Sequence, residues 1–271
     1  MHKKYLAVLL SVIAILAVAV FPVGAITDGE PDGEGHPYVG LMIADVDGVP
    51  AWRCSGTLIS PTVFLTAGHC TDGATAARVW FYSDMTYDTV PFPLYPYGGA
   101  GSGAVEGTPY THPDYNPAAF FLRDVGVVIL DEPVYMDEYG QLPQLDQLDK
   151  LKTKRGQQNV TFTAVGYGLQ MSFPDAASWK ENNLRIRMVA HPKLNQINVP
   201  GFTGDFSMLL SNNANTGGTC FGDSGGPNFL GDSNVVAGVT SFGVYGNCAG
   251  TGGVFRMDRS WSLEWVGSFL D

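Results

Sequence analysis

Basic residues are scarce in this sequence. The 271-residue chain carries 15 Lys and Arg against 26 Asp and Glu, and its formal net charge at pH 7 is −11. Nucleic-acid binding depends on neutralising phosphates with Lys and Arg, so a chain this acidic is poorly suited to it. We therefore expect no nucleic-acid partner.

Cysteine is also scarce, and no two cysteines have the two-residue spacing that is common in zinc sites. We therefore expect no metal ion and no other cofactor. The four cysteines are Cys54, Cys70, Cys220 and Cys248. An even number in a secreted chain predicts two disulfides, but the spacing alone leaves the pairing open.

Long hydrophobic runs are absent except for Tyr5–Phe21. Lys3 and Lys4 precede this run, and the small residues before Ala25 suit a signal peptidase. Residues 1–25 thus predict a secretory signal peptide that is cut after Ala25. An uncleaved membrane anchor is the alternative, although the run is at the short limit of about 17 residues for a span. We expect a secreted protein without stable membrane anchoring.

Helical periodicity is nearly absent, and short β-rich runs separated by turn residues recur instead. The predicted strands are 38–43, 55–59, 63–66, 78–82 and 125–130 in the first half, and 160–165, 184–189, 235–240 and 253–256 in the second. The polar segment Gln141–Gln158 separates the halves, and the Gly-rich segment Tyr97–Pro109 predicts a surface loop. Trp261, Trp265 and Phe269 recur with helical period and predict a C-terminal helix over about residues 259–270. The pattern indicates an all-β protein with one helix.

Two short stretches carry candidate chemistry, "CFGDSGGP" and "FLTAGHC". In the first, Ser224 lies between an acid and two glycines, which permit a tight turn and the close approach of a substrate backbone. A serine hydroxyl needs a base within hydrogen-bond reach and a third group that orients the base. His69, which follows an apolar strand and precedes Cys70, is the candidate base.

The third group should be a carboxylate on a rigid element. Asp124 begins the apolar strand of "LRDVGVVIL" and is the first candidate. Asp114, Asp131 and Glu132 lie nearby in the sequence, and the residues alone do not choose between them.

Taken in order, "LTAGHC", "RDVGVVIL" and "CFGDSGGP" resemble the three catalytic motifs of the trypsin/chymotrypsin family of serine proteases. The order His, Asp, Ser separates this family from subtilisins and α/β-hydrolases. The segments "HPYVGLMI", "CSGTLIS" and "TSFG" extend the resemblance over essentially the whole mature chain. Gly68 and Gly126 depart from it, because alanine is commoner at both positions.

The resemblance implies a fold of two six-stranded antiparallel β-barrels with a C-terminal α-helix. Barrel one would cover about residues 38–140, and barrel two would cover about residues 155–258. The resemblance also implies disulfides between Cys54 and Cys70 and between Cys220 and Cys248. The partners implied are protein or peptide substrates and protein inhibitors, and we expect a monomer.

The resemblance further implies catalytic roles. Ser224 would attack the scissile carbonyl, His69 would carry the proton, and Asp124 would hold the imidazole tautomer and stabilise the imidazolium. The backbone N–H groups of Gly222 and Ser224 would form the oxyanion hole. Ser241 would support the aspartate.

An activation switch is implied as well. A cut after Ala25 makes Ile26 the N-terminus of "ITDGEPDG", which is similar to the first residues of mature family members. Their terminal ammonium inserts beside the acid that precedes the catalytic serine, here Asp223. Signal peptidase itself would then activate the enzyme. The alternative is that Ile26 merely begins a frayed tail.

The substrate pocket is expected to be neutral and open. The positions that match the family's pocket are Gly218, Thr219, Ser241, Phe242, Gly243 and Gly253. Gly218 stands where trypsin-like members carry an aspartate, and Thr240 stands where glutamate-specific members carry a histidine. We therefore predict cleavage after large apolar or aromatic residues.

Two other functions remain open at this stage. One is a catalytically inactive member of the same fold that binds a partner. The other is a serine esterase or acyltransferase on another fold, which the Gly-Asp-Ser-Gly-Gly sequence disfavours because such enzymes carry Gly-x-Ser-x-Gly.

Overall fold

The computed structural model describes residues 26–86, 95–119, 121–151, 159–170, 184–200 and 203–270. The predicted signal peptide lies outside this set. No helix within these residues is long and apolar enough to span a membrane.

The first lobe is a closed barrel of six antiparallel strands. They are β2 (Val39–Val46), β3 (Val49–Leu58), β4 (Val63–Thr66), β5 (Ala76–Trp80), β6 (Val105–Thr111) and β7 (Gly126–Leu130), in the order β2-β3-β4-β7-β6-β5. Strands β2 and β3 form a hairpin through Asp47 and Gly48, whose φ angles of 52° and 80° suit a tight two-residue turn. Closure pairs every strand, and the barrel interior is filled by buried apolar side chains such as Leu41 and Phe64.

The second lobe is a sheet of eight strands that forms a half barrel. It contains β1 (Glu30–Pro31), β8 (Phe162–Gly166), β9 (Met188–Ala190), β10 (Leu194–Ile197), β11 (Ser207–Asn212), β12 (Pro227–Leu230), β13 (Val236–Gly243) and β14 (Gly250–Arg256). The order is β1-β9-β8-β12-β13-β14-β11-β10. The expected all-β fold class with two barrel lobes and a C-terminal α-helix is confirmed, but in the described residues the second lobe is an eight-stranded half barrel and not a closed six-stranded one.

Strand β6 lies partly in the segment that the sequence analysis assigned to a loop. It pairs with both β5 and β7 and is needed to close the barrel. Its glycine explains why the strand was missed, because Gly107 weakens the sequence pattern. A Cβ at Gly107 would lie 2.6 Å from the carbonyl oxygen of Ile129, so the glycine permits the close approach of β6 to β7.

The structure has two α-helices in its described part, the short α1 (Gly68–Thr71) and the C-terminal α2 (Ser260–Gly267). Helix α2 lies against the first lobe, with the Trp265 ring 5.1 Å from the His112 ring. Val266 is fully buried, whereas Leu270, beyond the helix, is 42% exposed. The C-terminal helix was predicted correctly, but it is shorter than the apolar pattern indicated.

A buried arginine joins the N-terminal segment to both lobes. The Arg187 guanidinium forms an ion pair with Asp32 at 2.8 Å and donates to the carbonyl oxygen of Gly33 at 2.6 Å. It also donates to the carbonyl oxygens of Val39 and Phe81. These contacts fix the chain that leads away from Ile26 against the junction between the lobes.

Candidate active site

His69 is held at the end of β4, on the one-turn helix α1. Its neighbour Cys70 forms a disulfide with Cys54 of β3. The Trp52 indole N–H donates to the carbonyl oxygen of Cys70 at 2.9 Å. The His69 side chain is 27% exposed and therefore faces the cleft while its backbone is anchored.

The Asp124 carboxylate is fully buried and orients His69. It accepts the His69 backbone N–H at 2.8 Å, and its Oδ2 lies 2.9 Å from His69 Nδ1. The Ser241 hydroxyl also donates to Oδ2. A buried carboxylate with these donors fixes Nδ1–H as the tautomer, so Nε2 is left as the basic nitrogen.

Ser224 lies on a turn that glycines shape. The φ angles of Gly222 and Gly225 are 97° and 76°, which side-chain-bearing residues rarely adopt. A Cβ at Gly225 would overlap the Thr66 hydroxyl. Ser224 and His69 line the same pocket. Within the described residues no hydrogen bond joins their side chains, and hydrogen bonds of this kind often tighten only when substrate binds.

Ser55 of the first lobe holds both sides of this turn. Its N–H donates to the carbonyl oxygen of Ser224 at 2.8 Å. Its hydroxyl donates to the carbonyl oxygen of Gly222 at 2.9 Å and accepts the Tyr167 N–H at 3.0 Å. Sequence reasoning did not find Ser55, because its partners are more than a hundred residues away in the chain.

Asp223 is the second fully buried carboxylate of the site. Its oxygens accept the backbone N–H groups of Gly168 at 2.7 Å and Cys220 at 2.8 Å. Burial raises the pKa of Asp223 to about 7, against the lowering effect of these two donors and of the more distant Arg53 charge. No cation forms an ion pair with Asp223 in the described part of the chain.

Ile26 is fully buried beside Ala164, Met188 and Ala190. Its nitrogen is an amide in this chain, because Ala25 precedes it. The carbonyl oxygen of the next residue, Thr27, accepts the N–H of Gly218 at 3.1 Å, so the N-terminal segment lies against the chain that leads to Thr219. The predicted Ile26–Asp223 ion pair needs a free ammonium and therefore stays a prediction.

A pocket of about 500 Å³ lies beside Ser224. It is lined by His69, Thr219, Cys220, Phe221, Ser224, Thr240, Ser241, Phe242, Gly243, Tyr245, Gly246 and Cys248. No carboxylate, lysine or arginine is among these residues. Of the predicted pocket residues, Thr219, Ser241, Phe242 and Gly243 line it. Phe221 and Tyr245, which are 45% and 61% exposed, form an aromatic rim that the sequence motifs did not predict.

The structure places two of the predicted pocket glycines behind the lining. A Cβ at Gly218 would meet the side chain of Asn212, and a Cβ at Gly253 would meet the Phe242 ring. The Asn212 amide donates to the carbonyl oxygen of Thr219 at 2.8 Å and accepts the Thr27 hydroxyl at 2.6 Å. A neutral amide therefore supports the pocket from behind.

The one potential metal cluster among the described residues consists of Cys54, His69 and Cys70. Both of its sulfurs are bonded to each other in a disulfide, so neither can act as a thiolate ligand. The second disulfide joins Cys220 and Cys248 at the pocket wall. Both disulfides agree with the pairings that the resemblance implied.

Comparison with known proteins decides the family. The family model described as Trypsin matches residues 31–260. The chain belongs to the trypsin family. It is 27% identical to "Serine protease 1" of Drosophila melanogaster over 246 residues, which is 90% of this chain and 84% of that protein. It is also 27% identical to "Collagenase" of Hypoderma lineatum, over 76% of this chain and 72% of that protein.

Solved structures of other proteins share the fold. The structure of HL collagenase matches with a TM-score of 0.68 at 22% identity, covering 90% of this chain and 98% of that one. Human heparin binding protein matches with a TM-score of 0.62 at 16% identity, covering 90% and 96%. At these identities the likeness concerns the fold.

Proposed function

We propose that this trypsin-family protein is a secreted serine endopeptidase that cleaves peptide bonds after large apolar or aromatic residues. One observation carries the proposal. The buried Asp124 carboxylate binds both the backbone N–H and Nδ1 of His69, and this directs Nε2 into a cleft that Ser224 lines. The curated serine-protease relatives support the same reaction class.

The proposed reaction has two steps. His69 Nε2 takes the proton of the Ser224 hydroxyl as Oγ attacks the scissile carbonyl, and the imidazolium then protonates the leaving amine. The N–H groups of Gly222 and Ser224 stabilise the oxyanion. In the second step His69 takes a proton from water as the water attacks the acyl-enzyme, and then returns a proton to Ser224 Oγ. Asp124 stays ionised and stabilises the imidazolium.

The reactivity of Ser224 tests the proposal. We expect the secreted protein to gain the mass of one sulfonyl group when it is treated with a sulfonyl fluoride, because only an activated serine reacts. The measurement is the intact mass before and after treatment. Ser224→Ala is the matched control and should gain no mass. An unmodified wild-type protein whose N-terminus is Ile26 would contradict the peptidase proposal and favour an inactive binding protein.

The untreated mass also tests secretion and processing. A chain that begins at Ile26 would support removal of residues 1–25 by signal peptidase. A chain that begins elsewhere and still forms the adduct would keep the peptidase and discard the activation switch.

The neutral pocket predicts substrate preference. A pocket of about 500 Å³ with Phe221 and Tyr245 at its rim favours a large apolar side chain, since none of its described lining residues is a carboxylate, lysine or arginine. We expect the highest kcat/KM for Phe or Leu in a panel of chromogenic peptides with Phe, Leu, Ala, Lys or Glu at the cleaved position. Fastest turnover of the Lys or Glu peptide would contradict this assignment.

A partner-binding function without catalysis is the second candidate, since a structural neighbour is named a heparin binding protein. Heparin is a polyanion, and the formal charge of −11 opposes binding of that kind here. A binding function without catalysis would also not require a buried Asp124 that orients His69.

A further inference from the structure

The guanidinium of Arg53 lies beside the proposed oxyanion hole. Its Nη2 and Nε are 3.1 and 3.2 Å from the point that a Cβ of Gly222 would occupy. Arg53 is partly exposed and forms no ion pair with any residue in the described ranges. An arginine at a cleft in a chain of net charge −11 is an unusual local charge.

Arg53 lies next to the turn around Gly222 but is not among the residues that line the pocket. The lining includes Phe221, which precedes Gly222, and Ser224, which follows it by two residues. The guanidinium therefore contacts the Gly222–Ser224 turn outside the pocket lining. The next residue, Cys54, is bonded to Cys70 beside His69.

The position of Arg53 is rigid at its base. Ser55, two residues further on, is fixed to Gly222 and Ser224 by two hydrogen bonds, as described above. The backbone of Arg53 is therefore held next to the turn, and only its side chain can adjust. A charge held in this way can discriminate between substrates.

We propose that Arg53 selects an acidic side chain in the leaving-group segment of the substrate, at the first or second residue after the cleaved bond. This inference rests on the proposed peptidase function. The side chain of the residue before the cleaved bond occupies the pocket, so the leaving amine and the residues attached to it extend out of the pocket past the Gly222–Ser224 turn, where Arg53 lies. A carboxylate there pairs with the guanidinium, whereas a lysine is repelled.

The experiment uses quenched fluorescent peptides with Phe at the cleaved position and Glu, Gln or Lys at either of the next two positions. A Phe anilide, which has no residues after the cleaved bond, serves as the reference. For each enzyme variant the kcat/KM of every peptide is divided by that of the anilide. The anilide and the peptides share the residues before the cleaved bond, so this ratio cancels any effect of the variant on the binding and reaction of that part.

In the wild-type enzyme we expect the Glu peptide to be cleaved about tenfold faster than the Lys peptide, since attraction and repulsion each contribute a few-fold at a partly exposed site. Arg53→Gln should abolish this preference, Arg53→Glu should invert it, and Arg53→Lys should retain it. Lys150→Gln changes the net charge by the same amount at an exposed residue outside both sheets and should leave the preference as in the wild type. Added salt should weaken the wild-type preference.

Equal cleavage of the Glu and Lys peptides by the wild-type enzyme would overturn the proposal, and so would a preference that survives in Arg53→Gln. Both outcomes leave the peptidase function standing, because the anilide is still hydrolysed. No hydrolysis of any substrate, together with no sulfonyl adduct, would instead overturn the proposed function itself.

Discussion

Replacing Asp124 by asparagine should lower kcat by about 10⁴-fold while the fold is retained. The Asp124 side chain accepts the His69 N–H groups and the Ser241 hydroxyl. An asparagine amide of the same shape donates where the carboxylate accepts, so it favours the wrong imidazole tautomer and cannot stabilise the imidazolium. The measurement is the kcat of anilide hydrolysis, with Ser224→Ala as the reference for complete loss.

Two controls separate this role from a structural one. KM should change far less than kcat, because Asp124 does not line the substrate pocket. Asp131→Asn, at an exposed acid seven residues further on, should keep wild-type activity. An Asp124→Asn enzyme with wild-type kcat would contradict the assignment of this carboxylate.

The catalytic motifs could be located from the sequence because each motif is a local string. The choice of Asp124 over Asp114, Asp131 and Glu132 could not be made from the residues alone. The structure distinguishes them by burial, since Asp124 is fully buried whereas the other three are exposed. Burial of an acid depends on the closed barrel and not on the adjacent residues.

The neighbours of the motifs were missed for a related reason. Ser55 and Arg53 act on the turn around Gly222 from a strand of the other lobe, and Asn212 reaches the pocket from behind through Thr219. These contacts join distant parts of the chain, and no sequence period marks them. Gly218 and Gly253 match the family's pocket positions in the sequence, but in the structure they are not among the residues that line the pocket.

Adding one methionine before Ile26 should lower activity by about 10³-fold or more, compared with a chain that begins at Ile26. The added residue turns the Ile26 ammonium into an amide, and Asp223 is then left without a cationic partner. Since Asp223 lies between Gly222 and Ser224, its placement controls both proposed oxyanion donors. Full activity of the extended chain would contradict the activation switch.

The pH dependence of stability gives an independent test of the same switch. In the extended chain burial raises the pKa of Asp223 to about 7, so the folded state binds this proton more tightly than the unfolded state, in which the pKa is 3.8. The stabilisation that the proton provides is full below the unfolded value and is lost as pH rises toward 7. The loss is on the order of 4 kcal/mol.

In the chain that begins at Ile26, we expect the pKa of Asp223 to shift in the opposite direction. The ammonium lowers the pKa of Asp223, and its own pKa is raised above the usual value near 8. The ion pair therefore stabilises the fold fully between the unfolded-state pKa of Asp223, 3.8, and that of the ammonium, near 8. This stabilisation weakens as pH rises through the ammonium's folded pKa. Ser224→Ala is prepared both with Ile26 as its N-terminus and with the added methionine. We expect the difference in free energy of unfolding between these two forms, measured with denaturant, to be larger at pH 7 than at pH 4. Asp223→Asn should remove the loss of stability in the extended form, because an amide carries no charge to bury.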